Sequence, residues 1–154
     1  NNNPIEDRIK LFQELHQNEH VDSFGHLFNN VGKPLRGSQY DKVKLLEGYK
    51  FTIAFENSYN KGYNTEKIIE PLESGCIPLY NGGEKVKDYF NKKSFLYYED
   101  FDSMEAYIKH IMQIHSNKDL YQEMILHPPL NLEKIYKEFK PDLLVDRILE
   151  QLDL

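Results

Sequence analysis

The stretch that most constrains this chain is residues 50–83, KFTIAFENSYNKGYNTEKIIEPLESGCIPLYNGG. It reads as a β-branched and aromatic strand over 50–55, a polar glycine-containing loop, a helix over 65–74 and a second strand over 76–80. A strand–helix–strand unit of this length predicts parallel pairing, with the helix laid over the sheet. In open parallel sheets, ligands bind beyond the carboxyl ends of the strands, where loops feed helix N-termini. The polar residues Glu56, Asn57, Tyr63, Thr65, Glu66 and Lys67 all fall at that joint.

The chemistry of the joint favours an anion. Thr65 is a suitable N-cap, and the helix that follows presents free backbone N–H groups and the positive end of its dipole to the loop. Gly62 permits close approach of the backbone to a ligand. A lysine in the first helical turn is ordinarily disfavoured, so Lys67 implies an anion that offsets it. A lone lysine would as readily point into solvent, Glu66 would suit any helix start, and Tyr63 could be one more packing aromatic. Their clustering favours a site.

Strands and helices alternate along the whole chain, which predicts a parallel sheet covered on both faces. Pro4, Ile5, Ile9, Phe12 and Leu15 predict a first helix, and residues 21–24 a short strand ending at Gly25. Ser38 caps a helix bearing Tyr40, Val43 and Leu46, after a loop with Gly32, Pro34 and Gly37. A short helix over 84–90 and a strand over 95–98 come after the central unit. Further helices are expected over 103–115, 118–126 and 140–152, with a weaker one over 132–139. Pro71 falls in the second turn of the central helix and predicts a kink or a shifted start there.

The segment resembles the donor-binding motif of the α-1,3-fucosyltransferases, glycosyltransferase family 10. The resemblance rests on Phe51-Thr52-Ile53-Ala54-Phe55-Glu56-Asn57, Gly62-Tyr63-Asn64-Thr65-Glu66-Lys67 and Gly75-Cys76-Ile77-Pro78-Leu79-Tyr80-Asn81-Gly82. Residues 88–95, DYFNKKSF, continue it, with Asn91 where the family pattern usually has proline. Arg8 fits the family's arginine-bearing helix.

The resemblance implies the C-terminal half of a GT-B enzyme, a Rossmann-like parallel sheet with helices on both faces. Residues 1–154 would form a single GDP-fucose-binding domain. It further implies inverting transfer of fucose to a sugar hydroxyl of a glycan. Arg8 and Lys67 would neutralise the diphosphate, Asn57 and Tyr63 would position phosphate and sugar, and Glu66 would accept from ribose or fucose hydroxyls. Glu56, as a structural or sugar-contacting carboxylate, and the cap Thr65 are further candidates for the substrate-binding set. The catalytic base and the acceptor contacts are expected in an N-terminal domain outside this chain, so none of its residues is named catalytic. The isolated part is then expected to be inactive. The alternative is a non-catalytic GDP-sugar-binding module. GDP-fucose is the donor substrate, and neither a cofactor nor a metal is expected.

Other classes fit less well. The sequence has neither a P-loop nor a Gly-x-Gly-x-x-Gly fingerprint, and Asp22 alone does not make a receiver domain's acidic site. A net charge of −6 without a basic stripe argues against nucleic acid. His16 and His20 have a metal-compatible spacing but no third ligand in register. Cys76 is the only cysteine, it suits a buried strand, and no Asn-x-Ser/Thr sequon occurs. The animal Golgi enzymes of the family carry several cysteines here, so a cytoplasmic, bacterial-type enzyme, membrane-peripheral at most, is expected. Leu143, Leu144, Ile148 and Leu152 give the last helix an apolar face suited to self-association.

Overall fold

The computed structural model describes residues 6–26, 28–32, 37–58, 62–138 and 140. Its centre is a three-stranded parallel sheet of β1 (Phe51–Phe55), β2 (Ile77–Asn81) and β3 (Leu96–Tyr97), in the order β1-β2-β3. Ile53 pairs with Leu79 and Leu79 with Leu96, and one residue on, Ala54 pairs with Tyr80 and Tyr80 with Tyr97. Because side chains alternate across a strand, these two rows face opposite sides of the sheet.

Each side is covered by helices. Helices α1 (Glu6–Asn18) and α5 (Met104–Ser116) bury Leu11, Leu15, Tyr107, Ile108, Ile111 and Ile114 against Phe55, Ile77, Leu79 and Leu96. On the other side, Ile68 of α3 (Glu66–Glu73) and Val86 of α4 (Val86–Tyr89) pack with Ala54, Tyr80, Phe95 and Tyr97. Helix α2 (Gln39–Leu46) starts at a capping box in which Ser38 and Asp41 bond reciprocally. It is joined to α3 by an ion pair between Lys42 and the buried Glu70. Helices α6 (Lys118–Leu126) and α7 (Leu132–Glu138) complete the described fold. Among the described residues, no helix is long and apolar enough to cross a membrane.

Most sequence-derived elements appear within a residue or two of their expected bounds, and α3 runs through Pro71 to Glu73. Pro78, in the central strand, has no N–H to donate, but it lies one residue before the β2–β3 ladder begins at Leu79.

One element is corrected. Residues 21–24 are not a strand. The Asn30 side chain takes their ladder groups, donating to the Val21 carbonyl at 2.8 Å and accepting from the Ser23 amide at 2.7 Å. His16 Nδ1 accepts from the Val21 amide at 3.1 Å. With those groups satisfied locally, pairing to β1 offers little further gain. Pro4, Ile5 and residues 141–152 of the helix expected over 140–152, with Leu143, Leu144, Ile148 and Leu152, lie outside the described residues.

Candidate active site

Three segments converge at the carboxyl end of β1. Arg8 lies on the α1 face that buries Leu11 and Leu15, three and seven residues further on, so its side chain reaches the end of the strand. There its guanidinium donates to the Phe55 carbonyl, to the Glu56 carbonyl at 3.0 Å and to Asn57 Oδ1 at 3.0 Å. Lys67, in the first turn of α3, stands on the same cleft wall. The cleft encloses about 650 Å³ and runs from Arg8 and Lys67 along Phe51, Ile53 and Phe55 to His115. That volume lies within the range of roughly 300–1,000 Å³ typical of small-molecule sites.

The anions that offset Lys67 come from the chain itself. Its Nζ lies 3.0 Å from Glu66 Oε1, 3.4 Å from Glu56 Oε2 and 3.2 Å from Thr65 Oγ1. Burial lowers the lysine pKa, but the Glu66 hydrogen bond and the Glu56 charge outweigh burial and hold it above 10.5. For Glu66, burial pushes upward, while hydrogen bonds from Lys67 and Thr65 bring it below 4.5 overall. The two carboxylates differ in freedom: the Glu66 side chain is 50% exposed, whereas Glu56 is wholly buried.

Glu56 is the centre of a network. Its Oε1 accepts from the Thr65 amide at 2.8 Å and the Tyr80 hydroxyl at 3.2 Å, and both oxygens lie within 3.0 Å of the Thr65 hydroxyl. Thr65 is therefore the N-cap of α3 by position, but its hydroxyl is turned to Glu56 and makes no cap bond to the helix. The Tyr80 hydroxyl also reaches Asn64 Oδ1 at 2.8 Å, and burial raises its pKa far above the usual range. Gly82 and Gly83 leave room for this arrangement. A Cβ on Gly83 would lie 3.0 Å from the Gly62 nitrogen and 3.1 Å from that of Tyr63. Gly62 itself has φ +79°, a left-handed conformation that favours glycine.

The structure thus gathers Arg8, Asn57, Glu56, Thr65, Glu66 and Lys67 at one joint, with Tyr63 exposed on the loop above Gly83. Tyr80, Asn64 and the Gly82-Gly83 pair belong to the same network but were not singled out from sequence. In the sequence they stand only within the quoted motifs, as Asn64 before Thr65 and as Tyr80-Asn81-Gly82-Gly83 at the end of an apolar strand. Among the described residues, no three His, Cys, Asp or Glu side chains gather as a metal site. His16 bonds the Val21 amide, and His20 pairs with Asp22 Oδ1 at 2.8 Å.

The chain is similar to known proteins along most of its length. The family model for the C-terminal part of glycosyltransferase family 10 (fucosyltransferase) matches residues 1–126. The chain is 36% identical over 130 residues to the alpha-(1,3)-fucosyltransferase FucT of Helicobacter pylori, covering 84% of this chain and 26% of the relative. It is 33% identical over 131 residues to alpha-(1,3)-fucosyltransferase B of Drosophila melanogaster, covering 79% of this chain and 29% of the relative. Its fold is similar to a crystal structure of an alpha1,3-fucosyltransferase with GDP-fucose, at a TM-score of 0.78 and 35% identity, over 85% of this chain and 37% of that one. The chain spans roughly a quarter to a third of the length of these curated relatives. With the family model matching most of its length, the chain belongs to glycosyltransferase family 10, the fucosyltransferases, as its C-terminal part.

Proposed function

We propose that residues 1–154 form the donor-binding domain of an inverting fucosyltransferase that moves fucose from GDP-fucose to a sugar hydroxyl of a glycan. The observation that carries this reading is the pair of cations, Arg8 and Lys67, at the carboxyl end of β1, where both line one end of the cleft that runs along that strand. As the bond between fucose and the β-phosphate oxygen breaks, negative charge moves onto GDP. Arg8 and Lys67 lie where that charge develops, and one well-placed donor of this kind is typically worth about 2.7–4 kcal/mol of transition-state stabilisation. Glu66, half exposed at the helix start, receives ribose or fucose hydroxyls, while Asn57 and Tyr63 position phosphate and sugar.

The acceptor hydroxyl attacks from the face opposite GDP and must lose its proton to a carboxylate. We place that base, and the acceptor contacts, outside these residues, so the isolated chain binds donor but does not turn it over. The test is calorimetric titration with GDP-fucose, GDP, GDP-mannose and UDP, repeated with Lys67→Ala and Arg8→Ala. Saturable binding of the guanine nucleotides, weakened in both variants and absent for UDP, is expected. Equal binding of UDP, or unchanged affinity in both variants, would overturn the reading.

A further inference from the structure

Glu56 has no exposed surface, yet its oxygens meet donors on every side: the Thr65 amide and hydroxyl, the Tyr80 hydroxyl and the Lys67 ammonium. Only a group that accepts at both oxygens satisfies such a set. A glutamine there would have to turn its NH2 toward either Lys67 or the Thr65 amide, donor against donor. The Thr65 hydroxyl links the two ends, accepting from Lys67 Nζ at 3.2 Å and donating to Glu56 Oε2 at 2.8 Å.

We propose that Glu56 is a positioning residue of the donor site: its carboxylate, fixed by Thr65 and Tyr80, holds the Lys67 ammonium against the cleft wall in the posture that meets a diphosphate. This rests on the reading of Lys67 given above. Lysine carries its charge on a flexible four-carbon stem, so fixing the ammonium beforehand removes an ordering cost from ligand binding. Glu66 cannot supply that fixity, being half exposed and free to turn to a ligand's hydroxyls. Glu56 cannot leave. Its repulsion of the incoming phosphates is offset by the Lys67 ammonium that stands 3.4 Å from its Oε2.

Two measurements test the proposal. The first follows the Cε resonance of Lys67 through a pH titration of 13C-lysine-labelled chain, assigned by its loss in Lys67→Met. Lys67 is expected to titrate above its ordinary range and to move down in Glu56→Gln; an unchanged titration overturns the proposal. The second is a double-mutant cycle on GDP affinity. Glu56→Gln is expected to weaken GDP binding by about tenfold, the loss of one charge-assisted contact, and to add nothing in the Lys67→Met background. Equal losses in both backgrounds would make Glu56 a fold element only and overturn the proposal. Should Glu56→Gln fail to fold, Tyr80→Phe keeps the charge and the ring while removing one of the carboxylate's anchors. Its loss of GDP affinity must likewise vanish in Lys67→Met. If the unaltered chain binds no GDP, the donor-binding reading fails, and the Lys67 titration alone decides the role of Glu56.

Discussion

Gly82 shows how little space the buried network leaves. A Cβ at that position would press on the Tyr80 hydroxyl and lie 2.6 Å from Glu56 Cγ, and both side chains are fully buried. Gly82→Ala is therefore expected to lower stability by about 1–3 kcal/mol, as overpacking does, measurable by urea denaturation, and to weaken GDP binding. The Glu66–Lys67 pair sets a pH window. Glu66 is depressed below 4.5, so its contribution is present above that value and is lost as pH falls through its folded pKa. Lys67 is raised above 10.5, so its contribution is present below that value and is lost as pH rises through its folded pKa. In Lys67→Met, denaturation midpoints measured across pH should lose the alkaline limb and part of the acid one. The joint was legible in the sequence because polar side chains collect between a strand and a helix start, although Glu56 and Thr65 there turn out to serve the fold. Tyr80 was not, since its ring is ordinary core and only its hydroxyl enters the network.

At the scale of elements, residues 21–24 and the segment around Asn91 show hydrogen bonds overriding pattern, local ones in the first case and long-range ones in the second. The former have a strand's composition, yet Asn30 satisfies the backbone at Val21 and Ser23. Asn30→Ala removes two hydrogen bonds at an exposed site and should cost about 1 kcal/mol. Hydrogen exchange of the Ser23 amide should rise with it, and no change in either would show that water replaces Asn30 at no cost. Asn91 stands where the family pattern has proline, and here its amide donates to the Pro129 carbonyl at 2.9 Å while its side chain donates to the Pro128 carbonyl at 3.0 Å. Together with the Phe90–Leu130 bridge and the bond from the Asn131 amide to the Tyr89 carbonyl, this fastens the start of α7 to the end of α4. Asn91→Pro, although it restores the family pattern, is expected to destabilise this chain by about 1–3 kcal/mol through the lost bonds, with the loss read as a lower urea midpoint.

Over the whole molecule, stability should be graded from the centre of the sheet outward. β2 is buried along its length and paired on both sides, whereas β1 borders the cleft. Amides of Leu79 and Tyr80 are therefore expected to exchange only through global unfolding, and those of residues 21–30 through local opening, in native-state exchange followed by mass spectrometry. The sequence by itself determined the alternation of strands and helices, the two-faced parallel sheet and the joint at which polar residues collect. Those follow from period-two and helical hydrophobic patterns, glycine placement and capping residues, all of which act over a few neighbours. Tertiary structure alone decided the partners: that Arg8 would reach the end of β1, that Lys67 would find its counter-ions in Glu56 and Glu66, and that Tyr80 and Gly82 would enclose Glu56. The physical reason is that a buried polar group must find a partner wherever the packed chain brings one, and spacing along the sequence does not specify which.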